Sequence, residues 1–179
     1  MDYIILGLLL MQSRTIYQLQ QRISQGLNLM YSSSLGSIQA AIKKLLNSEY
    51  IRYEEVVESG KYKKNYLITE SGKQHFFEWI NKPIEGQSFK SPELVKVYFM
   101  GFADKVSREA SIQQYLTYLN EQYCILEAIC EDAKNIPVTE ENKDILHYQM
   151  ASAFYGRDLM KFNIDWYEGL LNKMRSGGI

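Results

Sequence analysis

Apolar residues recur along this chain at two different spacings, and the change from one to the other marks its most informative stretch. From Ser34 to Ser48, Leu35, Ile38, Ile42, Leu45 and Leu46 step at helical intervals, so one face of a helix is buried. The opposite face carries Gly36, Ser37, Ala40, Lys43, Lys44 and Asn47, small near the helix start and cationic or amide-bearing further on. Tyr50 to Val57 and Lys61 to Ile68 then form two runs rich in Tyr, Val and Ile around the turn residues Glu58, Ser59 and Gly60, the pattern of a hairpin. A surface of small residues, amides and cations suits a groove in a polyanion, because small side chains admit the backbone and lysine neutralises phosphate.

Ahead of this stretch, Tyr3 to Met11 is a compact apolar run that reads as a buried first helix, with Gly7 placed for close backbone approach. Thr15 and Gln18 have the spacing of a capping box, and Ile16, Leu19, Ile23 and Leu27 follow on one face of a second helix. The connection spans 26–33, with Ser33 or Ser34 as the cap of the third helix. Three helices and a hairpin make a winged helix-turn-helix, whose third helix enters the major groove. Thr69 to Ile80 predicts a fourth helix capped by Thr69.

Periodicity lapses between Asn81 and Ser91, which divides the chain into 1–82, a connector over 83–90, and 91–179. Ser91-Pro92 starts a helix whose Leu94, Val95, Val97, Tyr98, Phe99 and Met100 predict burial on several sides. A long helix from Ser107 carries Ile112, Leu116, Leu119, Tyr123, Leu126, Cys130 and Ala133. Pro137 breaks it, and Thr139 is expected to cap a last helix reaching Met174.

That last helix has two apolar rows. One runs through Ile145, Tyr148, Ser152, Tyr155, Leu159, Phe162 and Trp166, and its neighbour through Leu146, Met150, Ala153, Arg157, Met160, Ile164, Tyr167, Leu171 and Met174. Two rows need partners on two sides: the preceding helix for one, and a second copy of the chain for the other. The row through Met150 and Tyr167 is the one expected to be left for the second copy. The fold class is therefore mainly α with a small β wing (α+β), an N-terminal winged helix-turn-helix followed by an antiparallel helical dimerisation domain.

Charge sharpens this division. The net formal charge is −1, but residues 1–82 carry ten Lys or Arg against seven Asp or Glu, and 83–179 carry ten against fourteen, so only the front half favours a polyanion. No run of about 18 uncharged apolar residues is present, and no membrane partner is expected. Cys124 and Cys130 lie about 240° apart on one helix and do not pair within it, which fits a reducing, cytoplasmic setting.

His75 and His147 are far apart, with no cysteine or carboxylate at metal spacing. Neither a phosphate-cradling glycine loop nor a nucleophile with its base is present, so no metal, cofactor or enzymatic activity is expected. Cys130 and Tyr66 read as packing. Lys61, Lys63 and Lys64 form a short charge run that on its own would be a solvated hairpin tip. Standing one element after a groove-compatible helix, they are expected on phosphate, with Lys43 and Lys44 following the same logic.

The order of residues also resembles the PadR family of bacterial transcriptional regulators. Ile5-Leu6-Gly7-Leu8-Leu9 is similar to that family's opening helix, and Tyr17 falls where it places a tyrosine in helix two. Gly36-Ser37-Ile38 with Ala41-Ile42-Lys43-Lys44-Leu45 is similar to its recognition helix, and Gly60-Lys61-Tyr62-Lys63-Lys64-Asn65-Tyr66-Leu67-Ile68-Thr69-Glu70-Ser71-Gly72 to its wing and following helix. The family usually has Tyr-Pro where this chain has Gln39-Ala40, and glycine before the first wing strand where this chain has Glu49.

The expected partners are double-stranded DNA, a second copy of the chain, and a small aromatic ligand of the kind to which PadR relatives respond. Ser34, Gly36, Ser37, Gln39, Ala40, Lys43, Lys44, Lys61, Lys63 and Lys64 are the DNA-binding candidates; Gln39 has the groups for a bidentate bond to adenine. Tyr98, Tyr155, Phe162 and Trp166 are the ligand candidates, with Arg157 either facing an anionic ligand or paired with Asp158 or Glu121. Packing between helices is the other reading of these aromatics. An interaction or ligand-binding module that has kept the scaffold without specific DNA binding is the alternative function.

Overall fold

Side-chain caps set where most of the helices begin. The computed structural model describes residues 1–24, 34–58, 61–86 and 91–178, with Glu58 and Lys61 described in backbone only. Its elements are α1 (Asp2–Met11), β1 (Arg14–Thr15), α2 (Ile16–Arg22), α3 (Leu35–Asn47), β2 (Ile51–Glu58), β3 (Lys61–Ile68), α4 (Glu70–Ile80), α5 (Pro92–Tyr98), a short 3-10 turn (Met100–Phe102), α6 (Lys105–Ala133) and α7 (Lys143–Arg175). Leu27, Ser33, the 26–33 connection, and the turn residues Ser59 and Gly60 lie outside the described residues. The chain divides into two compact units, Met1–Gln87 and Ser88–Ile179.

In the first unit, Thr15 and Gln18 cap α2 reciprocally, at 3.3 Å and 2.9 Å. Ser34 caps α3 in the same way with Ser37, and Thr69 Oγ1 accepts from Gly72 N–H at 3.1 Å to start α4. The sheet is antiparallel in the order β1-β3-β2. The two-residue β1, pairing Arg14 with Tyr66 and Thr15 with Asn65, is a strand that the pattern did not predict.

The core joins Ile5, Leu6, Leu8 and Leu9 of α1 to Leu19, Ile23, Ile38, Ala41, Ile42, Leu45, Ile51 and Tyr66. Gly7 is approached by a ring, not by a backbone: a Cβ there would meet Phe76 Cε2 at 3.2 Å. His75 lies between Tyr50 at 4.4 Å and Tyr3 at 5.3 Å, and Tyr3 stacks on Trp79 at 4.5 Å, so these rings pack α4 against α1.

The junction of α3 with the wing turns on Glu49. Its φ of 57° is left-handed, Glu49 N–H donates to Leu46 O, and Tyr50 N–H donates to Leu45 O, the two bonds that close a Schellman helix end. Thr69 Oγ1 and Ser71 Oγ donate to the Glu49 carbonyl, and Thr69 N–H donates to Tyr50 O. The following helix crosses so closely that a Cβ on Gly72 would lie 2.0 Å from Tyr50 O.

The second unit is a helical hairpin with α5 against it. Glu109 pairs with Arg175 at 3.5 Å, Tyr115 meets Tyr167, and Gly156 faces Leu126, so α6 and α7 run antiparallel. Ile112, Leu116, Leu119, Ile164, Tyr167, Leu171 and Met174 form its core.

Four further details differ from the sequence expectations. The long helix starts at Lys105, because Asp104 Oδ1 accepts from Ser107 N–H at 2.9 Å. The last helix starts at Lys143, because Thr139 donates its N–H to Asn142 Oδ1 and spends its carbonyl on a preceding turn. No residue of α5 is buried; it lies on the hairpin with one side, leaving Leu94, Val95 and Tyr98 exposed along with Phe99 after it. Finally, the two rows of α7 exchange roles. Ala153, Ile164, Tyr167, Leu171 and Met174 are buried, while Ile145, Tyr148, Tyr155, Leu159, Phe162 and Trp166 remain exposed. Among the described residues no helix is long and apolar enough to cross a membrane.

Candidate nucleic-acid interface

The surface of α3 is built by the packing of its other side. Ile38, Ala41, Ile42 and Leu45 are buried, which turns Gly36, Gln39, Ala40, Lys43 and Asn47 to water on the opposite face. At Gly36 an added Cβ would meet only Ser34 Oγ, at 3.8 Å, so the helix start presents bare backbone. Ser34 and Ser37 also close the cap: Ser37 N–H donates to Ser34 Oγ at 3.2 Å, Ser34 N–H to Ser37 Oγ at 3.1 Å, and Ser37 Oγ to Ser34 O at 2.8 Å. Both hydroxyls act in the cap.

Lys44 stands at the edge of this face and pairs with Asp2 at 2.6 Å. The hydrogen bond to Asp2, with the carboxylate charge behind it, raises the ammonium pKa. Nothing local in the sequence signals a partner 42 positions away.

The wing separates its lysines. Alternation along β3 puts Lys64 on the face of Tyr66, where its ammonium sits 4.1 Å from the centre of the Tyr53 ring, while Lys63, opposite Val56, belongs to the other face. Lys63 and Lys64 are both exposed, and Lys61 lies at the start of the strand opposite Glu58. Asn65 Nδ2 donates to Ser13 Oγ at 3.1 Å, tying the wing to the chain ahead of α2. Tyr17 on α2 is exposed.

The aromatic ligand candidates lie at the surface of the second unit. Tyr98, Tyr155, Phe162 and Trp166 are exposed, and Arg157 makes a two-nitrogen pair with Asp158 at 2.8 Å and 2.9 Å while lying over the Phe154 ring. A cavity of about 250 Å³ opens instead between α5, α6 and α7, lined by Glu93, Lys96, Met100, Tyr115, Tyr118 and Tyr167 among others. Tyr115 and Tyr118 share a helix face, but Glu93 and Tyr167 join them only through the fold. Among the described residues no group of three or more His, Cys, Asp or Glu could hold a metal ion. Cys130 is buried, and burial pushes its thiol pKa up.

A winged helix-turn-helix followed by a long helical hairpin defines a class of winged-helix transcriptional regulators. No family model matches the chain. It is 26% identical over 180 residues, 96% of its length and 95% of the relative's, to the negative transcriptional regulator PadR of Bacillus subtilis strain 168. The crystal structure of Bacillus subtilis PadR in complex with operator DNA covers 97% of this chain and 98% of its own, with a TM-score of 0.80 and 22% identity. The same regulator in complex with p-coumaric acid gives a TM-score of 0.75 and 21% identity over 97% and 98%. In sequence and in fold the chain is similar to PadR over nearly its whole length: it is a PadR-like transcriptional regulator.

Proposed function

We propose that the chain is a dimeric regulator that binds a near-palindromic DNA site through α3 and the wing. The observation that carries this reading is the exposed face of α3, with bare backbone at Gly36, an amide at Gln39, small Ala40 and cationic Lys43, opposite the buried Ile38, Ala41, Ile42 and Leu45. Gln39 reads a base edge, while Lys43, Lys44, Lys61, Lys63 and Lys64 meet phosphate. Ser34 and Ser37 hold the helix start in position. The likeness to the operator-bound Bacillus subtilis regulator supports this assignment.

Residues 1–82 are the DNA-binding part and 91–179 the dimerisation part. The exposed row from Ile145 to Trp166, with α5, is the surface a second copy covers. A twofold axis then sets the two α3 helices about 34 Å apart, or a small multiple of it. The same cover converts Tyr98, Tyr155, Phe162 and Trp166 from exposed rings into walls of a site for a small aromatic ligand. Such a ligand changes DNA affinity by binding two dimer geometries unequally. The p-coumaric acid complex of the Bacillus subtilis protein supports this part.

The test is a titration of labelled DNA from upstream of the protein's own gene, with specific and random competitors. Complexes competed only by the specific site are expected. Equal competition by any DNA would favour the alternative, an interaction module that has kept the scaffold alone. Gln39→Ala should change preference at one base position by about 1–3 kcal/mol.

A further inference from the structure

We propose that the cavity between α5, α6 and α7 binds a compact ammonium cation, held against the rings of Tyr115, Tyr118 and Tyr167 and neutralised by Glu93. The Tyr115 and Tyr167 rings meet at 77° with centroids 4.8 Å apart, which makes two walls of a corner. Tyr118 lies nearly parallel to Tyr115, 19° off at 6.0 Å, and extends one wall. Aromatic faces carry negative potential, and a corner of such faces is the arrangement that attracts an organic cation.

The charge at this corner has the matching sign. Glu93 stands in the first turn of α5, where Ser91 Oγ donates to its Oε2 at 2.7 Å and also caps the helix. Its field reaches both phenols: burial first, and then the Glu93 charge, raise the pKa of Tyr115, to about 12, and of Tyr167. The same field opposes an anionic ligand. Lys96 also lines the cavity and, like Glu93, is exposed, but of the two only the Glu93 charge acts on the Tyr115 and Tyr167 phenols. The volume of about 250 Å³ is below the roughly 300–1,000 Å³ of drug-sized pockets, so it suits one head group in place of a multi-ring compound. This site is separate from the aromatic row on α7, and DNA binding is not its readout.

Calorimetric titration of the full-length protein with choline, beside its uncharged carbon isostere dimethylbutanol, tests the proposal at constant ionic strength. Choline is expected to bind saturably and at least about tenfold more tightly than the isostere. Glu93→Gln should remove most of that difference. Tyr118→Phe, which keeps the ring, should bind as the parent does, and Tyr118→Leu should lose affinity while its thermal melt shows the chain still folded. Equal affinity for choline and the isostere, undiminished binding by Glu93→Gln, or absence of saturable choline binding would each overturn the assignment.

Discussion

The two units of this chain bury their apolar residues to very different extents. In the first, α1 is apolar on nearly every side and is enclosed by α3, α4 and β3, so Ile5 and Leu6 are fully buried. Three helices there carry side-chain caps and the sheet ties down the wing, which leaves a unit that closes on itself. In the second, helices of 29 and 33 residues share one seam, and large side chains stay outside it: Tyr155 is 71% exposed and Phe162 62%. Two helices can cover only one stripe of each other. Burial of a large apolar side chain is worth about 1.5–3 kcal/mol, so the uncovered row along one helix favours association, whereas the exposed rings of the first unit, Tyr17, Tyr62 and Phe77, lie on three different elements.

Substitutions at the tightest point of the first unit should have the largest effect. Gly72→Val sets a branched side chain against Tyr50 O and Ile68 Cγ1 and should destabilise that unit by about 3 kcal/mol or more, read from urea unfolding. Gly101→Ala in the second unit, where a Cβ meets nothing within 4 Å, is the matched control and should change stability by less than about 0.5 kcal/mol. If both substitutions cost the same, the contrast in packing is void.

Next in size, Phe162→Glu should weaken self-association by about 2–3 kcal/mol in sedimentation experiments while leaving the melting of the first unit unchanged. A variant that dimerises like the parent would remove the α7 row from the interface.

Glu49→Gly acts in the opposite direction. Relief of a left-handed non-glycine residue outweighs the added freedom of the unfolded chain, and a gain of about 0.5–1 kcal/mol is expected by chemical denaturation. An unchanged midpoint would mean that the Thr69 and Ser71 bonds to the Glu49 carbonyl already offset the strain.

The smallest effect lies in alkali and belongs to the second unit. Burial, with the Glu93 charge behind it, holds the Tyr115 phenol neutral to about pH 12, above the 10.0 of a free phenol. The raised folded value means that its contribution to stability is whole below pH 10.0 and is lost as pH rises through about 12. Tyr115→Phe should therefore flatten the alkaline part of the stability curve, measured by circular dichroism melts; an unaltered slope would assign it to other groups.

Most of the first unit was legible in the sequence, because its signals are local. Thr15 with Gln18, Ser34 and Thr69 each name a helix start within three or four residues, and a helix with lysine on one face and isoleucine on the other has one way to pack. The likeness of the wing and recognition helix to the PadR family was carried by contiguous residues in the same way. Even here the two-residue β1 had too little pattern to read, and the left-handed turn at Glu49 has a side chain that gives no hint of it.

In the second unit the sequence by itself determined two long helices and two apolar rows on α7, since periodicity is a property of a single helix. Which row faces α6 was decided only by the tertiary structure, because that depends on how the facing side chains interdigitate, and Ile112, Leu116 and Leu119 fit Ile164, Tyr167 and Leu171. The cavity was likewise outside the reach of the sequence. Glu93, Tyr115 and Tyr167 lie on three helices, and only antiparallel packing of α6 on α7, with α5 laid against them, brings the carboxylate and the rings to one place.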